Sequence, residues 1–243
     1  MMMEVNYIYQ SGFKVELDDK ILVFDYSYEK LSNLKKSKEI YFFTSSCADD
    51  HFSSAIFHLG AERENVHYYV CKDNLLKSKF NGVKFFLNHI VEKKTRSKII
   101  YTEPHHFYDD NGIRVRTFSS CDDNDAVAYL VEANGKTIFH AGHMNIWSWP
   151  DRSEAYNNLA KNKFIAEVDK LKKFHIDIAF LIVDPRQESC YADGFDYFMR
   201  HTDTDRVYPC HFKNKKKIIS FLLKDEISKP YREKIQLTTD YLE

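Results

Sequence analysis

Thr44-Ser45-Ser46-Cys47-Ala48-Asp49-Asp50-His51-Phe52 follows a short run, Ile40-Tyr41-Phe42-Phe43, that is apolar, β-prone and too brief for a helix. A strand that ends in small polar residues and then Asp-His suits a metal or substrate site. The strand fixes the backbone, and the loop after it turns side chains into a cleft. Before residue 100 nothing else concentrates as much chemistry.

Working outward, residues 5–9, 13–17 and 21–26 alternate or run apolar between the breaks Gln10-Ser11-Gly12 and Asp18-Asp19-Lys20. They predict an antiparallel meander of three strands, the third ending on Asp25. Phe52 to Leu59 suits one or two helical turns. Strand-like segments recur at 66–71, 83–87, 98–102, 113–118, 127–133 and 136–140. Asn134-Gly135 between the last two is a hairpin signal, because a primed turn needs positive φ at both central residues. Beyond residue 150 the period changes. Asp151 or Ser153 would cap a helix over about 153–173, with Tyr156, Leu159, Phe164, Val168 and Leu171 at helical spacing. Asp177 to Val183 reads as a buried strand closing on Asp184-Pro185-Arg186. A short strand near Arg206-Val207-Tyr208 leads to Pro209-Cys210-His211-Phe212, and a Lys-rich helix follows. Strands first, with helices between the later strands, predict an α/β fold of two sheets between helices, as a single domain over 1–243.

The bulk numbers exclude several classes. With 44% hydrophobic and 29% charged residues in a chain of 243, a sizeable core is affordable to an ordinary globular protein. A formal net charge of −1 gives no electrostatic reason to expect nucleic acid or an anionic membrane. No apolar run approaches the roughly 20 residues that span a bilayer, and the start lacks the pattern of a signal peptide. Five scattered cysteines without a Cys-x-x-Cys pair suit reduced thiols, hence a cytoplasmic location. With 7 Gly against 16 Tyr and 19 Phe, the core and cleft should be aromatic, and no phosphate-cradling glycine loop is expected.

Polar residues stand directly after strands at Asp50-His51, Asp122-Asp123, His140-Ala141-Gly142-His143, Asp184 and His211. His and Asp are the donors that zinc-like divalent cations prefer. Lys213-Asn214-Lys215-Lys216-Lys217 reads as a solvated helix face, with recognition of an anionic substrate as the alternative.

The ordered set Asp50-His51-Phe52, Phe139-His140-Ala141-Gly142, Val183-Asp184-Pro185-Arg186 and Pro209-x-His211-Phe212 resembles the metallo-β-lactamase superfamily, in particular its bacterial stand-alone metal-dependent hydrolases. Tyr7 to Phe13 and Leu22 to Tyr26 fit that branch too. The resemblance covers nearly the whole chain. It implies a four-layer α/β/β/α sandwich with one or two metals at the sheet edge, where a metal-activated water cleaves an ester, lactone, amide or phosphodiester.

The chain departs from the family's His-x-His-x-Asp-His signature. Aligned on Asp50-His51, the first two histidines become Ser46 and Ala48. The aspartate that usually follows the Ala-Gly pair is His143, and Gln10 stands where the branch often has His. One metal position has thus lost its paired histidines. The resemblance leaves at most one divalent metal, zinc ahead of manganese and iron, or none. Its ligands would be His51, His143, His211 and Asp50, with Asp50, His140 and Asp184 as catalytic candidates and Asp122 beside them. A neutral imidazole has one free lone pair and cannot bridge two metals. A second register puts Ser45, Cys47, Asp49 and Asp50 on the motif, with Cys47 as a thiolate ligand. Three functional readings follow: a cytosolic mononuclear hydrolase acting on a small molecule in the sheet-edge cleft; a metal-free relative acting as a binding or regulatory module; and a thiol enzyme using Cys47.

Overall fold

The expected meander forms because Phe13, Val15, Leu22 and Phe24 present one continuous apolar face. β1 (Glu4–Tyr7), β2 (Phe13–Glu16) and β3 (Lys20–Phe24) pair antiparallel in turn. From β3 onward the pairing is parallel, through β4 (Glu39–Thr44), β5 (Val66–Cys71) and β6 (Ile99–Thr102). The connections carry α1 (Ala55–Gly60) and α2 (Lys93–Arg96). These six strands make one sheet in chain order. This computed structural model describes residues 3–27, 31, 34–60, 63–72, 93–110, 112–121, 126–238 and 241. The strand expected at 83–87 and the candidate Asp122 lie outside the described residues.

The second sheet repeats the plan. β7 (Phe107–Asp110), β8 (Ile113–Ser119), β9 (Val127–Ala133) and β10 (Lys136–His140) are antiparallel. β11 (His175–Ile182) and β12 (Asp203–Cys210) then add in parallel. Asn134 (φ 50°) and Gly135 (φ 69°) both take positive φ between β9 and β10, as the primed hairpin turn requires. α3 (Glu154–Leu171) connects β10 to β11, and the Ser153 hydroxyl accepts from the Tyr156 N–H at its start. α4 (Asp193–His201) connects β11 to β12, and α5 (Lys217–Leu222) follows β12.

The two sheets pack face to face. Phe13, Phe24, Tyr41 and Phe43 meet Tyr129, Val131, Ile178 and Phe180, and the Phe13 and Phe180 rings lie 4.0 Å apart. α3, α4 and α5 cover the outer face of the second sheet, and α1 covers that of the first. The result is the expected four-layer α/β/β/α sandwich. Two details differ from expectation. Only Phe164, Val168 and Leu171 of the predicted apolar stripe of α3 are buried, whereas Tyr156 and Leu159 are 46% and 57% exposed. α4 was not anticipated: Asp193 and Gly194 open it, and both are weak helix formers that mask the apolar face formed by Phe195, Phe198 and Met199. Among the described residues no helix is long and apolar enough to cross a membrane.

Candidate metal centre

Parallel strands put their carboxyl ends at one end of a sheet, and the loops leaving those ends can converge. Here β3 delivers Asp25, β4 leads to Asp50 and His51, β10 to His143, β11 to Asp184 and β12 to His211. Donor atoms of Asp50, His51, His143 and His211 all lie within 4.8 Å of one another. His51 and His211 are buried, while Asp50 and His143 are half-buried. Two of the carriers sit on left-handed backbone, Asp25 at φ 44° and His211 at φ 63°, a conformation that side chains other than glycine adopt at a cost.

His51 is the best-defined donor. Its Nδ1 is 2.6 Å from Asp25 Oδ2, and the Ser45 N–H and hydroxyl donate to the same carboxylate at 2.7 and 2.6 Å. A carboxylate only accepts, so the Nδ1 of neutral His51 carries the proton and its Nε2 keeps a lone pair. That Nε2 is buried and has no hydrogen-bond partner. An orphaned buried nitrogen is costly unless something unseen in the protein atoms satisfies it. Burial, together with neighbouring His143, pushes the His51 pKa down to about 4, against the pull of Asp25 and Asp50. It is neutral, and ready to ligate, at ordinary pH. Burial works against ionised Asp25, but His51 and His140 outweigh it and hold the carboxyl below its usual range.

At His211 carboxylates lie close to both ring nitrogens, neither of which has a hydrogen-bond partner. Its Nδ1 lies 3.2 Å from Asp184 Oδ2 and its Nε2 3.6 Å from Asp50 Oδ2. Burial lowers the His211 pKa, but Asp184 and Asp50 outweigh it and raise it overall. Arg186 donates its Nε to both Asp184 oxygens at 2.9 Å and its Nη2 to Oδ2, which offsets the buried charge. Although burial opposes it, His211 and Arg186 hold Asp184 well below the usual carboxylate range. Asp50 is held low as well, chiefly by His211. Gln10, which stands where the family branch often has His, supports the turn instead. Its carbonyl accepts the His211 N–H at 3.0 Å and its side chain accepts the Lys213 N–H at 3.2 Å.

The remaining candidates fall elsewhere. His140 is buried with both nitrogens used: Nε2 donates to the Ser11 carbonyl at 2.7 Å, and Nδ1 accepts the Gly142 N–H at 3.1 Å. Its ring stacks on Phe24 at 5.0 Å. Of the two roles open to His140 as a candidate, orientation and proton transfer, bonding of both nitrogens to backbone favours orientation. Ser46 accepts the Ala48 N–H, and neither residue belongs to the donor cluster. The register that makes Cys47 a ligand is corrected: its thiol donates to the Cys71 carbonyl at 3.6 Å, outside the cluster. Sequence reasoning placed Ser45 only on the alternative metal register and foresaw neither its paired bonds to Asp25 nor the Asn145–Gln187 pair. Asn145 donates to Gln187 Oε1 at 2.8 Å, and Gln187 Nε2 bonds the Ile146 and Ser148 carbonyls, bracing the loop after His143. An amide pair far apart in sequence leaves no local signal.

The donor set fits a cation. Tetrahedral zinc with bonds of about 2.0–2.1 Å needs donor spacings of about 3.4 Å. His51 Nε2 and His211 Nε2 are 3.8 and 3.6 Å from the Asp50 oxygens, within a few tenths of an ångström of that.

No family model matches the chain, and no curated protein matches it. Solved structures do. It superposes on Igni18, a novel metallo hydrolase from the archaeon Ignicoccus hospitalis, with a TM-score of 0.66 at 13% identity over 97% of this chain and 94% of that one. A possible metal-dependent hydrolase from Veillonella parvula gives 0.63 at 12% over 99% and 98%. The metallo-β-lactamase fold protein YhfI from Bacillus subtilis gives 0.52 at 10% over 84% and 79%. This chain has the metallo-β-lactamase fold. On that fold, the sheet-edge loops that bring Asp50, His51, His143 and His211 together are the ones the sequence resemblance pointed to.

Proposed function

We propose that the chain is a hydrolase working through one divalent cation, zinc ahead of manganese and iron, held by His51, His143 and His211 with Asp50 as the charged donor. The observation that carries this is the buried Nε2 of His51, left without a hydrogen-bond partner while Asp25 fixes the opposite side of the ring. A metal-free module would have every reason to satisfy or replace that nitrogen. A cation bound there would polarise a carbonyl or phosphoryl group and make water acidic enough to attack it. The substrate class is a small-molecule ester, lactone or phosphodiester.

The chain's own residues divide the remaining work. Asp25 is a positioning residue that fixes the His51 ring by a hydrogen bond, and Asp184 stands 3.2 Å from the His211 ring as its charge partner. Asp184 is buried, ionised and tied to Arg186, so it orients rather than shuttles protons. Among the described residues, Asp50 is the one donor carboxylate on the cleft, and its depressed pKa makes it a weak proton acceptor but a good anionic ligand. Without the paired histidines at Ser46 and Ala48, no second cation is held.

Metal analysis of protein purified without chelator tests this against the His51→Ala, His211→Ala double variant. We expect about one metal per wild-type chain and none in the variant. A folded wild-type protein that takes up no zinc, manganese or ferrous iron sinks the proposal.

A further inference from the structure

The cleft above the donor cluster has a volume of about 440 Å³, in the range of small-molecule sites. Its lining has two features that the metal chemistry leaves unexplained. The first is apolar surface that folding does not bury. α3 buries side chains only from Phe164 onward, while Tyr156 and Leu159, one helical turn apart on its first half, line the cleft and are about half exposed. Trp147 and Trp149 line it too, with nearly parallel rings 6.2 Å apart. The Trp147 ring is fixed because its Nε1–H donates to the His143 carbonyl at 2.9 Å. Exposed apolar side chains gathered on one concave surface point to a ligand.

The second feature is charge. Among the described residues that line the cleft, Lys163 and Lys213 add positive charge beside Asp50, while the Arg186 guanidinium is already paired with buried Asp184. Lys213 stands on left-handed backbone (φ 45°), two residues past His211, with its N–H held by Gln10. Its position relative to the donor cluster is therefore set by the same turn that sets His211.

We infer that the cleft takes an organic anion: a flat apolar body against the tryptophans, Tyr156 and Leu159, joined to a carboxylate or phosphate group held by the cationic rim. For turnover this rests on the metal-dependent reading above, but binding itself requires only the cleft. A neutral ester of the same size uses the apolar wall and forgoes the cations, and inorganic phosphate does the reverse.

The chain's two tryptophans both line the cleft, so their fluorescence reports this site alone. Titration with phenylphosphonate, benzoate, benzyl alcohol and inorganic phosphate tests the inference, on chelator-treated and on zinc-loaded protein. We expect saturable changes with phenylphosphonate or benzoate, whichever is tighter naming the anionic group, and binding of benzyl alcohol and phosphate at least about tenfold weaker. Lys213→Glu should weaken the preferred anion about fivefold, the size of one part-exposed charge interaction. Leu159→Asp should weaken it as well, with no loss of folding because the side chain is exposed. The inference is overturned if benzyl alcohol or phosphate binds as tightly as the aryl anions, if Lys213→Glu changes nothing, or if no probe binds. Anion discrimination in protein that takes up no metal would defeat the metal reading and leave this one standing. Metal uptake without discrimination would do the opposite.

Discussion

Two turns at the same end of the sandwich each hold a buried histidine near Asp25, and the two residues do different things. His51, after β4, is 0% exposed with Nδ1 2.6 Å from Asp25. His140, at the end of β10, is 1% exposed with Nδ1 3.8 Å from the same oxygen. In His140 both nitrogens are bonded to backbone and the ring lies flat on Phe24. In His51 one nitrogen is fixed by a carboxylate and the other is left over. Burial, strand-end placement and a nearby aspartate are common to both. What marks a candidate ligand off from a brace is the spare lone pair, and only the pattern of hydrogen bonds reveals it.

The largest expected effects break this comparison directly. His140→Ala should destabilise the fold by about 2–4 kcal/mol, through the lost ring packing and an unpaired Ser11 carbonyl, yet keep one metal per chain. Asp25→Asn should preserve the fold but weaken metal affinity about 10- to 100-fold, as loss of a carboxylate behind a metal-binding imidazole does. Chelator competition and chemical denaturation on both variants read these effects. If folded His140→Ala loses its metal, or Asp25→Asn keeps wild-type affinity, the roles assigned to the two turns are wrong.

The comparison also explains how far the sequence could be read. The sandwich was legible because strand alternation, the Asn134-Gly135 turn and the ordered Asp-His, Ala-Gly, Asp-Pro and Pro-x-His motifs are local signals. Placement after strands marked Asp50, His51, His143 and His211 among several polar residues, and the family resemblance singled those four out as a ligand set. The role of His140 was not legible, because its partners are the carbonyl of Ser11, 129 residues away, and a backbone N–H. Asp25 could be seen as an acid at a strand end, but its grip on His51 depends on β3 and β4 being parallel neighbours. The exposure of the start of α3 was not legible for a related reason. Helical spacing marks Tyr156 and Leu159 as an apolar stripe, and it cannot tell a stripe facing the core from one facing a cleft.

A somewhat smaller effect sharpens the contrast through pH. His51 has its pKa lowered from 6.5 to about 4 by burial first and His143 second. The unfolded chain therefore binds a proton there between those values and the folded chain does not. Its contribution to stability is full above pH 6.5 and is lost as pH falls toward 4, on the order of 3 kcal/mol. His211, with its pKa raised, works in the opposite direction and in a different window. Its contribution is full below pH 6.5 and is lost as pH rises through the raised pKa. Metal-free protein should thus lose stability on acidification from pH 6.5 to 4. Ring resonances followed by NMR should show one histidine titrating near 4 that disappears in His51→Gln. A His51 ring that titrates near 6.5 in folded, metal-free protein would contradict its placement.

The last effect concerns the glycine on which the second turn depends. Gly142 follows His140, donates its N–H to that ring and takes φ +55°. A Cβ there would sit 2.6 Å from Ser45 Cβ and 2.7 Å from the Val127 carbonyl oxygen. Ser45 is the residue that fixes Asp25, so the strain would be passed toward His51 rather than absorbed by solvent. Gly135 provides the control. It has φ +69° in the β9–β10 hairpin, but a Cβ there would meet nothing within 4 Å. Gly135→Ala should therefore cost only the left-handed backbone term, about 1 kcal/mol. Gly142→Ala adds a clash with packed atoms and should cost about 1–3 kcal/mol more, together with weaker metal binding. Denaturation midpoints give the first difference and chelator competition the second. Equal stability losses would mean that Ser45 moves aside freely, and wild-type metal affinity in Gly142→Ala would mean that the two turns are not coupled through it.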